Sequence, residues 1–123
     1  MTFFSKEEAM ELHRANIERF GGSQGLRDEG VLESALTAPE NRYHYEGADV
    51  IACAATYGFH LCQAHAFVDG NKRIAAVLCE LFLRDNDLVL EATNEQIIEV
   101  FLNLASSQMS RDELEEFLRA HVR

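Results

Sequence analysis

Residues 49–84, DVIACAATYGFHLCQAHAFVDGNKRIAAVLCELFLR, contain the two most apolar helix patterns of this chain and the polar segment between them. Asp49 can cap a helix whose apolar residues recur at steps of three and four and cover nearly every face, which is typical of a helix buried among several others. A second, largely apolar helix follows from Asn71 to about Arg84, and we expect the two helices to pack together. The joint between them, HAFVDGNKRIA at residues 65–75, concentrates the polar residues that are suited to chemistry.

Helix signals flank this segment on both sides. In a capping box, the hydroxyl of the cap residue and the third helical side chain bond each other's free backbone amides. Three pairs have this form: Ser5 with Glu8, Thr93 with Gln96, and Ser110 with Glu113. We therefore predict an all-α fold of six helices, a compact bundle with a buried central helix and no substantial sheet.

Breaks between the helices are predicted from glycine and proline. The glycine pair at 21–22 suits the left-handed conformation that ends a helix. A short helix over about residues 29–37 should follow and stop there, because Pro39 disfavours helical geometry in the residue before it. Residues 41–47, NRYHYEG, would then form a loop or small hairpin, a short flap, and residues 85–92 a turn with a brief extended piece.

Composition bounds the class of protein. A length of 123 residues with one proline predicts a single domain over residues 1–123. The net charge of −10 argues against direct nucleic-acid binding. No apolar run approaches the roughly 20 residues that span a membrane, and no secretory signal is visible. We expect a cytoplasmic protein in which the three cysteines are buried, reduced thiols.

The joint has the features of a phosphate site. Gly70 and Asn71 lie where the second helix begins, so its free backbone amides and its dipole attract anions, and Gly70 allows a phosphate to approach the backbone. Lys72 and Arg73 add two cations in the first turn, where positive side chains face the positive end of the dipole. A bound anion would remove that conflict.

Two further residues in the joint are candidates for catalysis. Asp69 is placed to hold Mg²⁺, which usually takes one or two carboxylates together with substrate phosphates; the alternative is that it only caps the following helix. His65 stands four residues earlier, and histidine ordinarily titrates near neutral pH, which suits removal of a proton from a hydroxyl. The alternative is a histidine that only interacts with the helix dipole.

The other candidates are weaker. His44, with Tyr43 and Tyr45, would form a target-contact loop if the predicted flap lies beside the joint. His13 and His121 are predicted on amphipathic surface helices.

The string HAFVDGNKRIA resembles the signature of the Fic/Doc family, HxFx(D/E)GNxRxx(R), and Lys72 points to the Doc, or death-on-curing, branch. The six-helix plan and LRDEGVLESAL at residues 26–36 extend the resemblance over nearly the full chain. The resemblance implies a general base that acts on a protein hydroxyl, a magnesium ligand and a set of phosphate ligands. By position these are His65, Asp69, and Gly70, Asn71, Lys72 and Arg73.

Two departures from the adenylylating members bear on the reaction. This chain has Lys72 where their pattern has Gly, and Ala76 where it has a second Arg. The resemblance to Doc implies a kinase that uses ATP and Mg²⁺, transfers the γ-phosphate to a threonine of elongation factor Tu and so arrests translation. AMP transfer to a protein hydroxyl, and a non-catalytic antitoxin-binding or corepressor module, remain as alternatives.

Regulation is also expected to follow the Doc pattern. Some Fic proteins inhibit themselves through an (S/T)xxxE(G/N) motif, and no Ser or Thr of this chain has Glu four positions later. The resemblance therefore implies a toxin with a separate Phd-like antitoxin, whose disordered tail folds as a helix in a groove.

Overall fold

Six helices make up the structure, a computed structural model that describes all residues 1–123. Two isolated antiparallel bridges, Leu26 with Phe67 and Leu90 with Val122, are the only β pairings. The prediction of an all-α, six-helix fold without a sheet is confirmed. None of the helices has the length and apolar composition that crossing a bilayer requires. In chain order the helices are α1 (Lys6–Phe20), α2 (Glu29–Glu46), α3 (Val50–Ala64), α4 (Asn71–Asp85), α5 (Asn94–Ala105) and α6 (Arg111–His121).

Helix α3 is the buried centre of the bundle, as its apolar pattern predicted, and it packs against α2, α4, α5 and α6. Small residues along α3 allow this close approach. A Cβ added at Gly58 would lie 3.0 Å from the Leu114 side chain and 3.3 Å from that of Phe101. The cysteines are free and buried, as expected. Burial raises the pKa of the Cys79 thiol to about 12, which keeps it unreactive.

Side-chain caps start five of the six helices. The capping boxes at Ser5, Thr93 and Ser110 are all present, and Asp28 and Asp49 cap α2 and α3. The predicted helix starts are therefore confirmed, and so is the end of α1 at its glycine pair. Helix α4 is the exception, because no side chain caps it.

Helix α2 is twice as long as the sequence suggested. It continues through Pro39 to Glu46, so the predicted stop at residue 37 and the predicted loop or flap at 41–47 are wrong. Tertiary contacts hold the second half in place: the Pro39 carbonyl oxygen accepts from the Cys53 thiol at 3.6 Å. Arg42 donates to the Ala52 carbonyl oxygen and to Glu115. These bonds join the second half of α2 to α3 and α6 and offset part of the roughly 3 kcal/mol that proline costs inside a helix.

The three residues predicted as a target-contact loop lie on the last turns of α2. Tyr43, His44 and Tyr45 are helical, and the Tyr43 ring contacts Phe3 with centroids 5.7 Å apart. The start of α2 adjoins the α3–α4 joint, because the Asp28 N–H donates to the Ala66 carbonyl oxygen. At 1.5 Å per residue, Tyr45 is about 25 Å along the helix from that end. The reason for linking these residues with the joint is therefore removed.

Candidate active site between helices α3 and α4

One side chain holds the α3–α4 loop closed. Asn71 Oδ1 accepts from the Phe67 backbone N–H at 3.0 Å, and Asn71 Nδ2 donates to the Phe67 carbonyl oxygen at 2.9 Å. Asn71 was predicted as a phosphate ligand. In the structure its side chain shapes the loop, while its backbone N–H stands at the start of α4.

The N-terminus of α4 presents free backbone amides. Gly70 is the cap residue, in the left-handed conformation with φ 76° and ψ 20°. The first amide of the helix to find an acceptor is that of Ile74, bonded to the Gly70 carbonyl oxygen at 3.0 Å. The amides of residues 71–73 are left without partners, and the helix dipole adds a partial positive charge there. This arrangement is the one that binds anions in other proteins.

Lys72 and Arg73 extend the positive charge. The chain has 21 acidic side chains and only 11 Lys and Arg, yet neither of these two cations forms an ion pair. The Arg73 guanidinium lies over the ring of Phe20, 4.7 Å from its centroid. Phe20 is the last residue of α1 and is 55% exposed. Both cations are therefore free to meet an anion.

Asp69 is an exposed carboxylate held by two backbone amides. Its Oδ2 accepts from the Ser23 N–H at 3.1 Å and its Oδ1 from the Gly70 N–H at 2.9 Å. These bonds lower the pKa of Asp69 from its ordinary value, so the group is ionised at neutral pH. Because Gly70 occupies the cap position, the interpretation of Asp69 as a mere cap for α4 is wrong.

Asp69 is a carboxylate that could serve as a ligand of Mg²⁺. No group of three His, Cys, Asp or Glu side chains is close enough to hold a metal ion. Mg²⁺ needs only one or two carboxylates, since waters and substrate phosphates complete its shell. Asp69, ionised and beside free amides, meets that requirement.

Two glycines allow α1 and its following turn to approach the loop. A Cβ added at Gly22, where φ is +118°, would lie 2.7 Å from Asp69 Oδ2. At Gly70 an added Cβ would lie 2.9 Å from Ile17 Cδ1. Both positions exclude a larger side chain by conformation and by space.

Helix α1 is exposed on one side, as predicted for an amphipathic surface helix, but His13 lies on its buried face. His13 is 3% exposed, its Nε2 lies 2.7 Å from the Asp69 carbonyl oxygen, and its ring stacks on Phe67 with centroids 3.8 Å apart. Helix α1 therefore reaches the centre of the loop.

A cleft of about 440 Å³ lies along the α4 N-terminus and the facing side of α5. This volume falls in the range that binds small molecules and cofactors. The motif residues Asp69, Gly70, Asn71, Lys72 and Arg73 line it together with Glu80, and its apolar lining is formed by Ala76, Val77, Ile97, Ile98, Phe101 and Leu102. The structure thus brings five of the six predicted motif residues into one cleft.

His65, the sixth, does not line this cleft. It follows the last residue of α3 in the left-handed conformation, with φ 50° and ψ 43°. Few residues other than glycine adopt this conformation, and such residues are found at functional sites. The side chain is exposed and has no hydrogen-bond partner, so a ring nitrogen is free to accept a proton.

The contribution of α1 is what the sequence analysis missed. His13, Ile17 and Phe20 follow one another at steps of four and three, so they share one face of the helix. That face contacts Asp69, Gly70 and Arg73 in turn. The helical spacing of the stripe was visible in the sequence, but its partner was not.

Comparison with known proteins identifies relatives of this chain. Residues 3–83, which include α1 and the whole motif, match the model of the Fic/DOC family. The chain is 33% identical over 120 residues to Protein kinase doc of Escherichia phage P1, an alignment that covers 97% of this chain and 94% of that protein. It is 36% identical over 77 residues to Toxin Doc of Mycolicibacterium smegmatis (strain ATCC 700084 / mc(2)155), which covers 59% of this chain and 58% of that protein.

Proposed function

This chain belongs to the Doc branch of the Fic/DOC family, and from that premise we propose that it is a toxin kinase that transfers the γ-phosphate of ATP to a hydroxyl of a target protein. One observation carries the proposal. The uncapped start of α4 presents three free amides and two unpaired cations beside an ionised carboxylate. A triphosphate matches that set of groups, because phosphoryl transfer depends mainly on alignment and on neutralising the phosphate oxygens.

In the proposed reaction, the hydroxyl oxygen of the target forms a bond to the γ-phosphorus as the bond from phosphorus to the bridging oxygen of ADP breaks. His65 takes the hydroxyl proton, and ADP leaves with the electron pair. The α4 amides, Lys72 and Arg73 hold the phosphates and stabilise the charge on their oxygens. Bound Mg²⁺, held by Asp69, would add positive charge at the phosphates and help to align them.

Transfer of phosphate is favoured over transfer of AMP by the two departures in the motif. The adenylylating pattern would place a second Arg where Ala76 lines the cleft. The only other Arg of α4 is Arg84, which lies near the opposite end of the helix and pairs with Glu80. The relative from phage P1 is named as a protein kinase. AMP transfer is therefore the second candidate reaction.

The target and partner are proposed by analogy with Doc. We propose a threonine of elongation factor Tu as the acceptor, arrest of translation as the result, and the cytoplasm as the place of action. A Phd-like antitoxin would neutralise the toxin. The names of both relatives refer to Doc, and one names a toxin.

In the deciding experiment, the protein is incubated with elongation factor Tu and ATP labelled at either the α- or the γ-phosphate. The label on elongation factor Tu and its gain in mass are then measured. Label from the γ-position and a gain of one phosphate would support the kinase. Label from the α-position and a gain of AMP would replace it with adenylyl transfer. Nucleotide binding with no transfer to any protein of a cell extract would favour the non-catalytic module.

Phe20 is expected to tune the affinity for ATP through Arg73. The substitution Phe20→Leu removes the ring on which the guanidinium rests, and an exposed cation–π contact contributes about 0.5–1 kcal/mol. The KM for ATP should therefore rise about two- to fivefold while kcat changes little. Steady-state kinetics at varied ATP would measure this. Phe20→Tyr keeps an aromatic face and should behave as the wild type; an equal rise in KM in both variants would rule out the contact as the cause.

A further inference from the structure

His13 has a single polar partner, and that partner is the backbone of the proposed magnesium ligand. Its Nε2 lies 2.7 Å from the Asp69 carbonyl oxygen, 56 positions away in sequence. A carbonyl oxygen only accepts hydrogen bonds, so Nε2 carries the proton and donates it. Burial of a polar ring is unfavourable unless it is hydrogen-bonded. This bond therefore accounts for a histidine at a site where an apolar side chain would pack more simply.

The same ring also fixes the residue two positions before Asp69. It lies 3.8 Å from the Phe67 ring, centroid to centroid, with the planes 9° apart. Phe67 is itself held by both polar atoms of the Asn71 amide. His13 therefore contacts the loop at two points: its ring stacks on Phe67, and its Nε2 donates a hydrogen bond to the Asp69 carbonyl oxygen.

The Asp69 carboxylate is held only by backbone amides. Ser23 N–H and Gly70 N–H bond the two carboxylate oxygens, and both depend on where the Asp69 backbone lies. If the carbonyl of Asp69 were released, the carboxylate and the Gly70 cap could shift together. The His13 bond is the only side-chain hydrogen bond from outside the loop to the Asp69 backbone.

We propose that His13 is a positioning residue of the phosphotransfer site: by donating to the Asp69 carbonyl oxygen it sets the place of the Asp69 carboxylate and of the Gly70 cap. The inference rests on the proposed function for its kinetic consequence, but its structural part does not. Displacement of a catalytic group by about 1 Å can cost on the order of 100-fold in rate.

Two variants separate the hydrogen bond from the packing. His13→Phe keeps a flat ring against Phe67 and loses the donor, whereas His13→Gln loses the ring and places an amide donor where Nε2 lies. We expect the melting temperature of His13→Phe to stay within a few degrees of the wild type. Its kcat for transfer should fall by about 10- to 100-fold, and His13→Gln should recover kcat to within a few-fold of the wild type.

Hydrogen exchange of single amides provides a readout that needs no ATP and no activity. In His13→Phe, the Ser23 and Gly70 amides should exchange at least tenfold faster than in the wild type. His13→Gln should show nearly wild-type exchange there. The Gln96 amide, bonded to Thr93 Oγ1 in the α5 cap, serves as the internal control and should not change in either variant.

Unchanged exchange at Ser23 and Gly70 in His13→Phe would overturn the proposal, as would equal losses of kcat in the Phe and Gln variants. If the wild type transfers no phosphate but exchange responds as expected, the positioning role stands and the proposed function fails. Should His13→Phe not fold, His13→Leu provides a second variant without a donor, judged by the same exchange measurement.

Discussion

His65→Ala is expected to lower the rate of phosphoryl transfer by about 10²- to 10⁴-fold, the range that general base catalysis contributes. The structure gives this side chain no hydrogen bond to maintain, and it is exposed. Stability should therefore change little. Single-turnover transfer from labelled ATP would measure the loss, and the affinity for ATP, measured by direct binding, should remain near that of the wild type.

The backbone at this position requires a second variant. Because His65 adopts the left-handed conformation, His65→Ala retains a strained backbone, whereas Asn tolerates that conformation well. His65→Asn should lose as much activity as His65→Ala and should be at least as stable. His121→Ala, which removes a histidine from the end of α6, is the matched control and should remain active. Transfer within a few-fold of the wild type in both His65 variants would exclude the general base.

Arg73→Ala is expected to lower kcat/KM for ATP by about 10²- to 10³-fold, as loss of one preorganised donor to a developing charge does in other enzymes. Arg73 has no ion pair to break and its side chain is exposed. The melting temperature should therefore fall little, or rise, because one cation is removed from the positive end of the α4 dipole. Initial rates at varied ATP and thermal unfolding would measure the two effects.

Arg84→Ala is the matched control for Arg73→Ala. It removes the same side chain and the same charge from the last turn of the same helix, where the cation is 71% exposed and pairs with Glu80. Its kcat/KM should match the wild type. Similar losses in both variants would mean that net charge, rather than contact with the phosphates, governs the rate.

Much of the fold could be predicted because its signals are local. The capping boxes at Ser5, Thr93 and Ser110 involve residues three positions apart, so short stretches of sequence are enough to predict these helix starts. The apolar pattern of α3 likewise predicted a central helix. The error at Pro39 has the opposite cause. The local effect of proline predicts a helix end there, but α2 continues. Its second half is bonded to distant residues, through Cys53 to Pro39 and through Arg42 to Ala52 and Glu115.

The candidate site was likewise predicted only in part. The five motif residues that line the cleft lie at consecutive positions, so the sequence alone identified them as a candidate site. The same stretch showed the resemblance to the Fic/Doc family. The segment Tyr43–Tyr45, predicted as a target-contact loop, is helical. The prediction of a loop depended on the mistaken helix end at Pro39.

The motif residues lie together, and α4 begins among them, because neighbours in the chain are neighbours in the helix; this much follows from the sequence. What holds the joint in shape depends on how the helices pack. The stripe of His13, Ile17 and Phe20 has helical spacing but no local mark of its partners. Its contacts with Asp69, Gly70 and Arg73 join residues more than 50 positions apart. Such contacts form only when the apolar faces of the helices have packed, so the sequence placed His13 on an amphipathic surface helix without showing that its side chain would be buried against the site.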